Sequence, residues 1–164
     1  MGRILAIDFG RKRTGLAVTD PLRITANPLI TIPTHTLEAW LTDYFAKETV
    51  DEVVIGHPYQ MNGEDSESMQ YIQPFINRFR KVFPNMPLKE YDERFTSVLA
   101  HRAMIDGGMK SSDRMKKESV DKISASIILQ SWMDRQSQNA NIYIDPELVP
   151  DSRSNKVTKR KKRI

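Results

Sequence analysis

Three acidic residues stand in this sequence where strands or helices are expected to begin or end: Asp8 in "RILAID", Glu93 in "YDERFTS" and Asp121 in "SVDKISAS". Strand ends along one edge of a parallel sheet converge on a crevice, the usual ligand position in open α/β sheets. Three carboxylates gathered there would repel one another unless a divalent cation compensates them. Mg²⁺ takes such oxygen donors, usually a few carboxylates with water or phosphate completing the shell. Two such ions about 3.5–4 Å apart can activate a water and stabilise the leaving oxygen of a phosphodiester. Each acid also has an ordinary explanation. Asp8, ahead of Phe9-Gly10, could be a turn residue. Asp121, two residues after a Ser119 cap, could be favoured by a helix dipole alone. Glu93 could pair with Arg94 or a neighbouring lysine. The combination at separate element ends is harder to explain that way.

The elements that would carry these acids follow from hydrophobic period and turn chemistry. "RILAID" is apolar and compact, and "TGLAVTD" follows a short basic turn. Gly10 and Gly15 are spaced as in the front half of a P-loop, but Leu16 and Ala17 stand where Lys and Ser or Thr are required. A P-loop also needs a helix whose N-terminus faces the phosphate, whereas "GLAVT" reads as a strand. The stretch is a hairpin. "ITANPLITI" is a third strand, with Pro28 suited to an edge or a bulge.

The second half changes rhythm. "TLEAWLTDYFAKE" places Leu37, Trp40, Leu41, Tyr44 and Phe45 on one helical face. "VDEVVIGHP" is a short buried strand. Asp65 or Ser66 can cap a helix running to about Val82, which Pro74 should kink or split. "MPLKEYDE" is a fifth strand, and "TSVLAHRAMID" has helical spacing through Leu99, Ala103 and Met104. A polar, basic loop over residues 107–118 leads to a last helix that Asp121 opens, its period marked by Val120, Ile123, Ile127 and Trp132. The expected fold is an α/β domain whose five-stranded mixed sheet joins an antiparallel three-strand meander to parallel crossovers, flanked by helices.

Composition narrows the class. With 164 residues the chain can bury a core as one domain without disulfides or a structural metal. There are no cysteines, which removes thiolate zinc sites and cysteine nucleophiles. No stretch approaches the ~20 apolar residues of a membrane span, and the N-terminus runs straight into a strand without signal-peptide architecture. These features lead us to expect a soluble cytoplasmic protein with no membrane partner. The net charge of +4 is unevenly placed. Residues 151–164 hold seven basic residues and one acid, leaving 18 basic and 20 acidic residues in the body. The tail is either a solvated terminus or an arm for a polyanion. We therefore divide the chain into a domain over residues 1–140 and a C-terminal extension over residues 141–164.

Four segments in this order, "IDFGRKRTGLAVTD", "VVIGHPYQMNG", "YDERFTS" and "VDKISASIILQ", resemble the YqgF (RuvX-like) family of the ribonuclease H-like superfamily. The resemblance spans roughly residues 4–135. It implies a ribonuclease H-like fold and a nuclease that matures the 5′ end of pre-16S ribosomal RNA, or a Holliday junction resolvase. It further implies that Asp8, Glu93 and Asp121 are catalytic, metal-binding acids, serving two-metal hydrolysis with Mg²⁺ or Mn²⁺. RuvC-type resolvases carry another metal-ligating residue three positions after the first acid of the last helix; here Ser124 stands there, which thins the acidic cluster. His57 departs from the usual apolar residue, and a local hydrogen bond is the expected explanation.

Phosphate contacts come mainly from Lys, Arg and backbone amides. Arg11, Lys12 and Arg13 follow Asp8 on the hairpin, Arg94 and Thr96 adjoin Glu93, and Lys110, Lys116 and Lys117 lie in the 107–118 loop. These are the candidate nucleic-acid contacts, while Tyr59 and Tyr71 are expected to pack. The partner would be pre-rRNA or branched DNA, with ribosomal precursor particles as a further partner and a monomer or homodimer as the acting species. A non-cleaving scaffold of the same fold is the main rival. An actin-like ATPase needs two copies of such a fold, and the three histidines lack a Gly-x-Ser-x-Gly elbow for hydrolase chemistry.

Overall fold

Alternation builds the sheet. In "RILAIDF" the residues Ile4, Ala6 and Asp8 fall on one face and Leu5, Ile7 and Phe9 on the other. The computed structural model describes residues 2–58, 67–92 and 114–142, with side chains in the last helix for residues 121–137. In it this segment is β1 (Arg3–Phe9), antiparallel to β2 (Arg13–Thr19), with Asp8 opposite Gly15. β3 (Ala26–Pro33) pairs antiparallel with β2 and forms the sheet edge. Its register shifts beside Pro28, as the missing N–H of that residue invites. β4 (Val50–His57) and β5 (Leu88–Asp92) add parallel to β1, giving the order β3-β2-β1-β4-β5. The mixed five-stranded sheet is the one expected.

Helices cover both faces. A 3-10 turn (Thr34–Thr36) leads into α1 (Leu37–Lys47), followed later by α2 (Met69–Val82) and α3 (Arg114–Ile142). Leu37 and Leu41 of α1 and Met69, Ile72, Ile76 and Phe79 of α2 pack on Leu5, Ile7, Leu16, Val53 and Ile55. Trp40, Tyr44 and Phe45 complete the α1 face, half-buried. On the opposite face Ala125, Ile128 and Leu129 of α3 meet Ile4, Ala6, Ala17, Val54 and Tyr91. Burying an Ile or Leu of this kind contributes roughly 1.5–3 kcal/mol, so each layer is held by its apolar stripe. Among the described residues no helix is long and apolar enough to cross a membrane.

Three expectations need correction. Pro74 does not split α2, which runs as one helix of 14 residues. The ring removes only the bond to the carbonyl of Gln70, an exposed residue in the first turn whose oxygen water can satisfy. α3 begins at Arg114, not near Ser119, because Met115, Lys116, Lys117 and Glu118 are all strong helix formers. Its inward stripe is Asp121, Ala125, Ile128, Leu129 and Trp132 instead of Ile123 and Ile127, since small residues decide where the helix can approach the sheet; the Val120 side chain lies outside the described residues. The expected helix through Leu99 and most of the 107–118 loop lie outside the described residues, as do Asp65, Ser66 and residues 143–164.

α3 comes close to the sheet at Gly15. A Cβ there would lie 2.1 Å from the Asp121 carbonyl oxygen and 2.7 Å from the Lys122 nitrogen. The backbone of α3 therefore rests directly on β2. At the far end of β2, Asp20 is a loop residue: its carboxylate accepts from the backbone N–H groups of Ile24 at 2.8 Å and Thr25 at 2.7 Å. These bonds hold its carboxyl below the usual carboxylate range, with the Thr25 N–H the largest cause.

Two outcomes follow. Gly15→Ala should lower stability by about 1–3 kcal/mol, the cost of overpacking against a backbone that must shift, read as a lower urea midpoint. Because the Asp20 carboxyl is depressed in the folded chain, its contribution is present at neutral pH and lost as pH falls through its folded value. Asp20→Ala should thus lower Tm at pH 7, and its deficit against the natural chain should shrink in acid.

Candidate active site

The C-terminal ends of β1, β4 and β5 form one edge. Ile7 pairs with Ile55, and His57 pairs with Asp92, so Asp8, His57 and Asp92 end their strands together. Pleating then sorts them by face. Asp8 shares the α3 face with Ile4 and Ala6, whereas His57 lies on the α1 and α2 face with Val53 and Ile55. His57 is buried, and its Nδ1 shares a hydrogen bond of 3.1 Å with Glu90 Oε1. That is the local bond expected of it. Asp92 falls on the same face as Glu90, across the sheet from Tyr91.

Gly15 joins Asp8 to Asp121. Its backbone is the register partner of Asp8 on one side and the contact point of the Asp121 backbone on the other. Two acids 113 positions apart are thereby brought to one place on the α3 face of the sheet. Asp121 also lies two turns inside α3, beyond the first turn where a helix dipole would favour it. Its position on the inward stripe is not explained by capping. Asp8 likewise falls on the sheet face that α3 covers, with Ile4 and Ala6. Both ordinary explanations weaken on this geometry.

A basic hairpin tip closes the site. Arg13 lies on the same face of β2 as Gly15, and its Nε donates to Asp121 Oδ2 at 3.2 Å. Their side chains are 40% and 25% exposed, so the pair is worth only about 0–1 kcal/mol. Its effect is to fix and neutralise the carboxylate. At the tip, a Cβ on Gly10 would lie 2.2 Å from the Arg13 carbonyl oxygen, so the turn closes only around a glycine. Thr34 braces this turn. Its Oγ1 donates to the Gly10 carbonyl at 2.6 Å, and its N–H donates to the Lys12 carbonyl at 3.0 Å. Arg11 and Lys12 project from this braced tip, exposed, beside the Asp8 strand end. The two glycines are thus steric requirements of a hairpin and a helix contact, with no phosphate loop involved.

Of the other expected site residues, Lys116 and Lys117 lie in the first turn of α3, with side chains outside the described residues. Glu93, Arg94, Thr96 and Lys110 lie outside them altogether, Glu93 following the last residue of β5. Among the described residues no three metal-ligating side chains cluster. Sequence reasoning missed the Arg13–Asp121 pair and the contact of Arg11 with Tyr71, whose ring centroid lies 5.0 Å from the guanidinium carbon. Neither pair has a local sequence signal. A cleft of about 430 Å³ lined by Arg23, Glu52, Gln130 and Asp134 lies at the opposite end of β1, away from these acids.

The family model described as "RuvX: Holliday junction resolvase" matches residues 2–135. A protein of Phocaeicola vulgatus is 57% identical over 134 residues, covering 82% of this chain and 96% of its own. A protein of Porphyromonas gingivalis is 54% identical, covering 82% of this chain and 97% of its own. Both carry the name "Putative pre-16S rRNA nuclease". Among solved structures, Thermus thermophilus RuvC in complex with a Holliday junction substrate superposes with a TM-score of 0.51 at 14% identity, covering 84% of this chain and 96% of that one. This likeness is one of fold, the ribonuclease H-like sheet with its flanking helices. A family match over most of the length, and relatives above half identity across the same segment, place the chain in the RuvX family.

Proposed function

We propose that this chain is a divalent-metal-dependent endonuclease that hydrolyses phosphodiester bonds in structured nucleic acid, its substrate the 5′ precursor segment of 16S ribosomal RNA. The observation that carries the proposal is the meeting of Asp8 and Asp121 across Gly15 at a sheet edge, beside a braced basic hairpin. The names of these relatives support the substrate.

The donor set fits a hard divalent cation. Asp8 and Asp121 supply carboxylate oxygens on one face, the oxygen chemistry that Mg²⁺ and Mn²⁺ prefer. Packing them together also requires positive charge, part of which Arg13 already provides to Asp121. Asp8, Asp121 and Glu93 would hold the metal, in the two-ion arrangement the phosphodiester reaction favours. When bound, such ions supply an activated water and charge stabilisation at the leaving oxygen.

The remaining work belongs to the chain's own residues. Arg11 and Lys12, fixed on the tip by Thr34, contact phosphates on either side of the cut and set its register. Arg13 holds the Asp121 carboxylate in place through its Nε bond. Arg94, Thr96, Lys110, Lys116 and Lys117 add further phosphate contacts. Backbone contacts of this kind read shape more than sequence, which suits a folded RNA. The protein works in the cytoplasm, on ribosomal precursor particles, as a monomer or homodimer.

The experiment is cleavage of labelled pre-16S ribosomal RNA, with a four-way DNA junction in parallel, in Mg²⁺ or Mn²⁺ and in EDTA. We expect cutting of the RNA, lost in EDTA and reduced more than about 100-fold in Asp8→Asn, about 2.7 kcal/mol of barrier. Cutting of the junction alone would move the substrate to branched DNA. Tight binding of either nucleic acid without cutting, unchanged in Asp8→Asn, would leave a scaffold and end the nuclease reading.

A further inference from the structure

Tyr71 is out of place for a packing residue. It sits in the first turn of α2 but off the buried stripe of Met69, Ile72, Ile76 and Phe79, and 42% of it is exposed. The guanidinium of Arg11 lies over its ring, 5.0 Å from the centroid. Arg11 is itself exposed at the hairpin tip. The fold therefore spends an aromatic ring and a planar cation on a surface pair that contributes little to the core.

Yet the pair is held in position from below on both sides. Phe9, the residue next to Asp8, stacks on Phe75 with centroids 4.7 Å apart and planes at 25°. Phe75 is one helical turn beyond Tyr71, so this stack ties the start of α2 to the end of β1. Thr34 fixes the other partner by holding the Gly10 and Lys12 carbonyls. The Arg11–Tyr71 surface is thus positioned at the same sheet edge as Asp8, on the α2 side, while Asp121 flanks Asp8 on the α3 side.

A rigidly placed aromatic with a planar guanidinium over its ring, next to a basic tip, has the chemistry of a base-stacking platform, the base stacking on the outer face of the guanidinium or taking its place on the ring. Unpaired bases stack on Tyr rings and on Arg planes, and the neighbouring charges take the adjoining phosphates. Bases inside a helix offer no free face. We propose that Arg11 and Tyr71 form a stacking subsite for an unpaired RNA base flanking the scissile phosphate, so that the preferred substrate carries single-stranded nucleotides beside the cut. This deepens the nuclease reading and rests on it for the meaning of "beside the cut".

The test is equilibrium binding by the full chain in metal-free buffer, where cleavage does not interfere. Two probes are compared: an RNA duplex with a short single-stranded extension bearing 2-aminopurine at its first unpaired position, and the blunt duplex. Tyr71→Ala should weaken binding of the extended RNA about 5- to 150-fold, the range for losing one stacked base, with the blunt duplex unchanged. Tyr71→Phe should retain affinity, and the 2-aminopurine fluorescence quenched by the natural chain should stay bright with Tyr71→Ala. Arg11→Ala should fall between the two. Equal loss on both RNAs, loss on neither, or absence of quenching would overturn the subsite. The two readings fail separately. Selective binding of the extension without cutting in Mg²⁺ retires the nuclease and keeps the platform, while cutting indifferent to Tyr71 does the reverse.

Discussion

Everything at this site depends on how closely a helix can approach a strand. α3 carries Asp121 and β1 carries Asp8, and the strand between them in space, β2, must be thin enough to let both reach the same place. Gly15 provides that thinness at the one register position opposite Asp8. Ala17 beside it and Ala6 on β1 continue the same low surface, and Ala125 presents a small residue from the helix. Larger side chains in this row would lift α3 away from the sheet and carry Asp121 with it. Packing volume, more than any polar contact, therefore sets the separation of the two acids.

The cost of that approach is electrostatic. Bringing two acids to one place concentrates negative charge, and Arg13 from the same face of β2 pairs with Asp121 there. The tip bearing Arg13 is itself fixed at a distance, because Thr34 ties it to the start of α1. A single short segment, residues 7–18, thus supplies an acid, the glycine that admits the second acid, and the cation that compensates it. The opposite face of the sheet contributes differently: its aromatic stack of Phe9 on Phe75 anchors the strand end without adding charge.

How much of this was legible in the sequence depended on the range of the interaction. Period-two alternation in "RILAIDF" and "RTGLAVT" carries the hairpin and the sheet, because strand faces follow directly from spacing. The departure from a P-loop at Leu16 and Ala17 was equally local. The start of α3 was not legible, since Ser119 imitates a cap while the propensity of residues 115–118 continues the helix through it. Its inward face was ambiguous for a related reason: Ile123 and Ile127 are as apolar as Ile128 and Leu129, and only the small Ala125 marks the approachable side. The Arg13–Asp121 pair joins residues 108 apart, and no spacing rule reaches that far. Type and element position single out Asp8, Glu93 and Asp121; the packing at Gly15 brings the backbones of Asp8 and Asp121 together, and Glu93 lies outside the described residues.

The proposed nuclease requires Asp8 and Asp121 to be halves of one cation site joined across Gly15. Titration of the full chain with Mn²⁺, followed by the loss of free-ion electron paramagnetic resonance signal, tests it directly. Asp8→Asn and Asp121→Asn should each abolish the same binding event, and the double variant should bind no more weakly than either single one. Losses that add independently, or a binding event that survives both substitutions, would show that the two acids do not share a site.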